Sequence, residues 1–193
     1  MQARNVAEGT AFERFLVEQL GHFGYRKNTR NVTGIDLIAD GLSSIEAKRE
    51  SSINPNYRDD DGNLRNIAVQ ITTAGGHPSG PWKSMQEQSS SLYVVGEKTH
   101  YSNGNWRILF AAYSVAIADA CRNYKHEAEE LKRKGIKPGF NGEPRNPRLT
   151  FFRNSEKVIA KVPRASLEHI NFGGMEWLLG HLSEQFESYK SDG

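Results

Sequence analysis

Residues 34 to 48 constrain the fold more than any other stretch: Gly34-Ile35-Asp36-Leu37-Ile38-Ala39, the turn pair Asp40-Gly41, then Leu42-Ser43-Ser44-Ile45-Glu46-Ala47-Lys48. Ile35, Leu37, Ile38 and Ile45 favour extended backbone, and Gly34 and Gly41 bound the first run, so two strands joined by a tight turn are expected. Side chains alternate along a strand, which puts Glu46 and Lys48 on one face. Turn parity decides whether Asp36 joins them. A two-residue Asp40-Gly41 turn would pair Asp36 with Ile45 and leave the two carboxylates on opposite faces. A three-residue loop Ala39-Asp40-Gly41, with Gly41 left-handed, pairs Asp36 with Ser44 and collects Asp36, Ser44, Glu46 and Lys48 on one face. We expect the second arrangement, or a bulge of the same parity. It brings two hard oxygen donors and one cation to a point, a set that suits Mg²⁺ and a phosphodiester.

The letters alone do not discriminate, because Asp119 followed by Glu130-Leu131-Lys132 fits the same pattern. That stretch reads as a helix with Ala120, Tyr124, Ala128 and Leu131 at helical spacing, and residues two apart on a helix do not face each other. Upstream of the hairpin, Glu8 to Gly21 forms an amphipathic helix with Phe12, Phe15, Leu16 and Leu20 as its apolar stripe, followed by Gly24-Tyr25-Arg26.

The order of the Phe12-Glu13 helix, Gly24-Tyr25, Gly34-Ile35-Asp36 and Ile45-Glu46-Ala47-Lys48 resembles the PD-(D/E)xK nuclease superfamily, especially type II restriction endonucleases and Mrr-like or RecB-like nucleases. The resemblance spans roughly residues 8 to 50, with Ile35 where the motif name has Pro. It implies Asp36 and Glu46 as ligands of Mg²⁺, with Mn²⁺ able to substitute and the Ala47 carbonyl as a further ligand. Lys48 would orient or help deprotonate the attacking water and offset charge on the phosphate, and Glu13 would support the metal site from the helix. The implied activity is hydrolysis of double-stranded DNA to 5′-phosphate and 3′-hydroxyl ends by a homodimer. Two alternatives stay open: a structure-selective or repair nuclease of the junction-resolvase kind, and a non-catalytic DNA-binding module.

Composition is compatible with these readings. A chain of 193 residues can bury about 70% of its unfolded surface around a single core. One domain over residues 1–193 is therefore expected, with a catalytic core at about 8–113 and the elements of 115–190 completing the fold or a dimer surface. The net charge of +2 and pI near 8.6 indicate mild basicity, so any phosphate-binding face must come from local clustering. Lys27, Arg30, Arg49, Arg58 and Arg65 flank the hairpin and are candidate DNA contacts. The loop Thr72 to Lys83 is rich in Gly and carries His77, Ser79 and Lys83, which could reach a nucleic-acid backbone; Gln70, on the strand before it, is a further candidate. The single cysteine, Cys121, excludes an internal disulfide and reads as a buried thiol. Asp59-Asp60-Asp61-Gly62-Asn63 fails calcium-loop spacing and reads as a solvated turn. No apolar run reaches the ~18 residues of a membrane helix and no leader is evident, so a cytoplasmic protein without membrane or organic-cofactor partners is expected.

The remaining expected elements are a helix over 7–21, strands at 33–39, 43–49, 66–73, 91–96 and 106–113, and a short helix from Trp82 to Gln88. A helix over 115–134, strands at 148–153 and 157–162, a short helix near Ser166 and a last helix over 174–189 follow. The sum is an α/β fold with one central mixed sheet flanked by helices, restriction-endonuclease-like.

Overall fold

The computed structural model describes residues 2–29, 34–50, 65–98 and 106–191. Helix α1 (Gln2–Leu20) runs through a 3₁₀ turn at Gly21–Phe23 into the short strand β1 (Arg26–Lys27), followed by β2 (Leu37–Ile38) and β3 (Ile45–Glu50). Then come β4 (Asn66–Thr72), α2 (Pro81–Glu87), β5 (Leu92–Lys98), β6 (Trp106–Tyr113), α3 (Ser114–Ala120) and α4 (Arg122–Arg133). The chain ends with β7 (Leu149–Phe151), β8 (Val158–Pro163), a 3₁₀ turn at Arg164–Leu167, β9 (Phe172–Gly173) and α5 (Met175–Ser191). No described helix is long and apolar enough to cross a membrane.

The fold is α/β with a six-stranded mixed sheet, order β1-β2-β3-β5-β6-β9, flanked by helices. Only β3 and β5 pair in parallel; the other neighbours are antiparallel. The strand expected at 66–73 is not part of it. β4 pairs with β8, and β8 with β7, in a separate three-stranded antiparallel sheet. This corrects the expectation of one sheet, and packing explains it. Ile67, Val69 and Ile71 of β4, with Val158, Ala160 and Val162 of β8, form one apolar face that closes over Tyr93, Val95, Phe110 and Ala112 of the main sheet. The other face of the main sheet presents Leu37, Ile45, Leu92, Val94 and Ala111 to the stripe Phe12, Leu16 and Leu20 of α1 and to Leu178 and Leu182 of α5. With both faces covered, β5 and β6 carry near-continuous apolar runs instead of alternating ones.

Three smaller expectations are also corrected. The strand expected at 33–39 is regular only at Leu37–Ile38, and two-residue strands occur at 26–27 and 172–173 where none was expected. The helix expected over 115–134 turns a corner at Cys121, although Cys121 N–H donates to Ile117 O (2.9 Å) and Lys125 N–H to Cys121 O (3.1 Å). The corner lets Ile117 and Ala118 from one segment, and Tyr124 and Ala128 from the other, reach the same core. Cys121 is fully buried there, its thiol pKa pushed up to about 12 by burial, as befits a packed thiol and not a nucleophile.

Gly96 sits where α1 meets β5: a Cβ there would lie 2.2 Å from the Phe12 ring. Gly96→Val should therefore lower stability by about 1–3 kcal/mol or more through forced repacking of that ring. Urea unfolding followed by circular dichroism checks this, and an unchanged midpoint would show that α1 does not seat on β5 as described.

Candidate active site

β3 is held on both sides, by β2 and by β5, and its side chains divide cleanly. Ile45 joins the core beneath α1 and α5, while Glu46 points to the opposite face, where it is 1% exposed. The β2–β3 ladder consists of the pair Leu37–Ile45. The connecting loop is thus longer than the three residues expected and runs 39–44, with Gly41 in the left-handed conformation (φ 75°). The pairing sum moves by two, from Asp36–Ser44 to Leu37–Ile45, so parity is unchanged and Asp36 falls on the side of Glu46. The Asp36 N–H still donates to Ile45 O at 2.8 Å, and the Asp36 side chain supplies a further link to β3: Oδ2 accepts the Ala47 N–H at 2.7 Å.

Lys48 Nζ lies 2.6 Å from Glu46 Oε1, and Ser84 Oγ donates to Glu46 Oε2 at 2.5 Å. Glu13 of α1 pairs with Lys27 through Oε2 at 2.6 Å. That oxygen is buried, and the Lys27 ammonium is its partner. One half-buried ammonium, that of Lys48, thus contacts Glu46 and feels the charges of Asp36 and Glu13. Burial raises the Asp36 pKa above the usual aspartate range; Lys48 and the Ala47 N–H oppose this, while Glu46 and Glu13 add to it. For Lys48 burial works to lower the pKa, but Glu46, Asp36 and Glu13 together outweigh it and hold the amine above the ordinary lysine range. It is a permanent cation at neutral pH.

The donor set fits a hard divalent cation. Asp36 and Glu46 offer only oxygens, and the local carboxylates outnumber the two cations Lys48 and Lys27, which hold Glu46 and Glu13. Among the described residues no three His, Cys, Asp or Glu side chains form a ready-made cage, so the site offers two carboxylates and backbone oxygen such as that of Ala47.

Ser84 is the participant that sequence reasoning missed. It is fully buried on α2, accepts a hydrogen bond from Ser114 Oγ at 3.2 Å and donates its own to Glu46, making a buried Ser114–Ser84–Glu46–Lys48 line. The available signal was its position: with Pro81 and Trp82 buried, Ser84 is a polar residue on the apolar face of a short helix, which demands a partner. Gly34 helps bring α2 close, since a Cβ on it would meet Lys83 Cγ at 2.7 Å. Ser84→Ala should cost about 1–3 kcal/mol by stranding a buried carboxylate oxygen. Ser84→Thr, which restores the hydroxyl, should recover much of it; equal melting temperatures for wild type and Ser84→Ala would deny Ser84 this role.

The candidate DNA contacts scatter. Lys27 is tied to Glu13, and Lys83 to Glu87 at 2.5 Å. Arg49 lies on β3 next to Lys48 and projects to the opposite side by strand alternation. Arg65 immediately precedes β4, and Gln70 lies on that strand of the second sheet, donating to Thr72 O at 3.2 Å and so turned to its own strand instead of the carboxylates. His77 is exposed in a tight turn closed by Thr73 N–H to His77 O (2.9 Å) and Ser79 N–H to Ile71 O (3.0 Å). Arg30, Arg58 and the turn Asp59–Asn63 lie outside the described residues. The decoy Asp119, Glu130 and Lys132 is dispersed among separate ion pairs with Arg122, Arg133 and Glu156. Comparison of the chain with protein-family models, with curated proteins and with solved structures gives no match.

Proposed function

We propose that the chain is a Mg²⁺-dependent endonuclease of double-stranded DNA, of the restriction-endonuclease-like kind its motif resembles, working as a homodimer so that two-fold symmetry can place one site on each strand. The observation that supports this most is Asp36 bound to the edge of β3 beside buried Glu46 and charged Lys48. Asp36 and Glu46 would hold the ion, with Mn²⁺ as substitute. A bound divalent ion supplies a lowered pKa for coordinated water and polarises the phosphate. Lys48, charged throughout, serves as a fixed cation where the pentavalent phosphate gains negative charge, a role that fits its raised pKa better than proton abstraction does. Ser84 fixes the rotamer of Glu46. The expected ends are 5′-phosphate and 3′-hydroxyl.

A second reading has one observation in its favour: both Glu46 oxygens already have partners, Lys48 and Ser84, as in a purely structural ion pair of a DNA-binding module. Incubation with long mixed-sequence duplex DNA and Mg²⁺ separates the two. Discrete fragments that vanish with EDTA are expected; a smear would remove sequence specificity, and intact DNA with either Mg²⁺ or Mn²⁺ would favour the module.

A further inference from the structure

Charge is distributed unevenly along this chain. Ten of its 25 lysines and arginines, but only two of its 23 acidic residues, fall within residues 132–164, so this segment carries +8 while the rest of the chain is net acidic. The fold gathers the segment at the second sheet, away from the Asp36–Glu46 pairing on the first. Lys137 Nζ donates to the carbonyls of Arg153 (3.0 Å) and Ser155 (2.9 Å), tying the loop after α4 to the β7–β8 turn. Arg145 and Lys161 line one cavity of about 290 Å³ where that loop wraps the edge strand β7. The Lys161 N–H donates to Arg148 O (2.8 Å), and the Arg164 N–H to Arg65 O (2.9 Å), which extends the cationic surface to the start of β4.

Of the two acids in the segment, Glu156 holds Lys132 at 3.0 Å, while Glu143 is exposed in the loop and forms no ion pair among the described residues; Glu127 of α4 holds Arg148 at 3.5 Å. Among the described residues, Arg145, Arg153, Lys157, Lys161 and Arg164 form no ion pair. The surface therefore concentrates uncompensated cations on loops and strand edges, on a chain whose total charge of +2 would not suggest it. We infer that the β7–β8 hairpin and the loop before it bind a nucleic-acid phosphate backbone, that of duplex DNA. The choice of DNA rests on the nuclease reading; the charge distribution does not. A path toward the carboxylates exists in the fold. The β4–α2 loop packs on this hairpin, with Glu156 N–H donating to Ala74 O at 2.9 Å and Thr72 Oγ1 to Glu156 O at 2.5 Å, and the same loop leads into α2, which carries Ser84.

Neutralising phosphates releases counterions, so the logarithm of affinity falls with that of salt by about 0.9 per contact. The test uses the full-length chain in EDTA, with fluorescence anisotropy of a labelled duplex between 50 and 300 mM salt, on a variant carrying Arg145→Gln, Lys157→Gln, Lys161→Gln and Arg164→Gln. Glutamine removes the charged heads of Lys157 and Arg164 that lie over the Phe152 and Phe172 rings while keeping a polar side chain with part of the stem. The slope should flatten by about 3 to 4 and affinity at 0.1 M salt should fall at least ~100-fold. A control with Arg14, Arg26, Arg122 and Lys190 changed to Gln loses the same charge elsewhere and should bind nearly as wild type. If the fourfold variant melts abnormally, the pair Arg145→Gln, Lys161→Gln should show half the change in slope. A wild-type slope in either folded variant overturns the inference, as does wild-type protein that binds RNA or anionic vesicles but not duplex DNA. Tight, salt-sensitive binding by a protein that never cuts with Mg²⁺ would sink the nuclease reading and leave this surface standing; cutting by a protein whose variants keep the wild-type slope would do the reverse.

Discussion

Asp36→Asn should reduce Mg²⁺-dependent cleavage of duplex DNA by about 10³-fold or more, the scale on which a metal ligand or a transition-state charge contact acts, while duplex binding in EDTA stays equal or tightens through lost repulsion of phosphate. The fold should survive, because the Asn carbonyl can still accept the Ala47 N–H that Oδ2 accepts now. The metal-free variant should in fact be the more stable protein at neutral pH. Burial raises the Asp36 pKa in the folded chain, so the folded state takes up this proton more readily than the unfolded one. The stability linked to it is complete below the ordinary aspartate range and is lost as pH rises through the folded value. The advantage of Asp36→Asn in melting temperature should therefore be small at or below the ordinary aspartate range and grow as pH rises above it. A variant that melts lower than wild type at pH 7, or still cleaves, would remove Asp36 from the site.

Lys48→Met carries the second large effect, on stability and activity together. Glu46 is 1% exposed and would keep only the Ser84 hydroxyl. Removing one partner of a buried ion pair typically costs about 3–5 kcal/mol. The Lys48 side chain is 34% exposed, so solvent screens part of the pair and about 2–3 kcal/mol is the appropriate expectation. The double change Glu46→Gln, Lys48→Met should be more stable than Lys48→Met alone, since it removes the stranded charge. Cleavage should fall by about 10²–10³-fold in the single variant through loss of the fixed cation. Additive stability effects in the double variant would mean that the two side chains do not depend on each other.

The hairpin was legible because the two-residue period of a strand leaves only two outcomes, and Gly41 favoured one of them. Its register slipped by two because the loop is shaped by contacts no local pattern reveals. Tyr25 donates its hydroxyl to the Ser43 carbonyl, and Gln185, from the last helix, accepts from Ser43 N–H at 3.1 Å and donates to Ser43 Oγ at 2.9 Å. The apolar alternation of Ile67, Val69 and Ile71 identified β4 as a strand but not its partner: the choice of β8 over β3 depends on which apolar faces meet. Ser84 illustrates the same gap at the site, since burial of a helix serine follows from packing against a strand 38 residues away. The cations of 132–164 are visible singly in the sequence; only the loop folding back over β7 gathers them into one surface.

On the proposed function, Asp36 and Glu46 would hold one divalent ion between adjoining strands. Titrating the full-length chain with Mn²⁺ under electron paramagnetic resonance tests it most directly, because free Mn²⁺ is counted without reference to catalysis. Wild type should bind Mn²⁺ saturably and in competition with Mg²⁺; this binding should be lost in Asp36→Asn and persist in Arg145→Gln, Lys161→Gln. Undiminished Mn²⁺ binding in Asp36→Asn, or none in wild type, would contradict that reading.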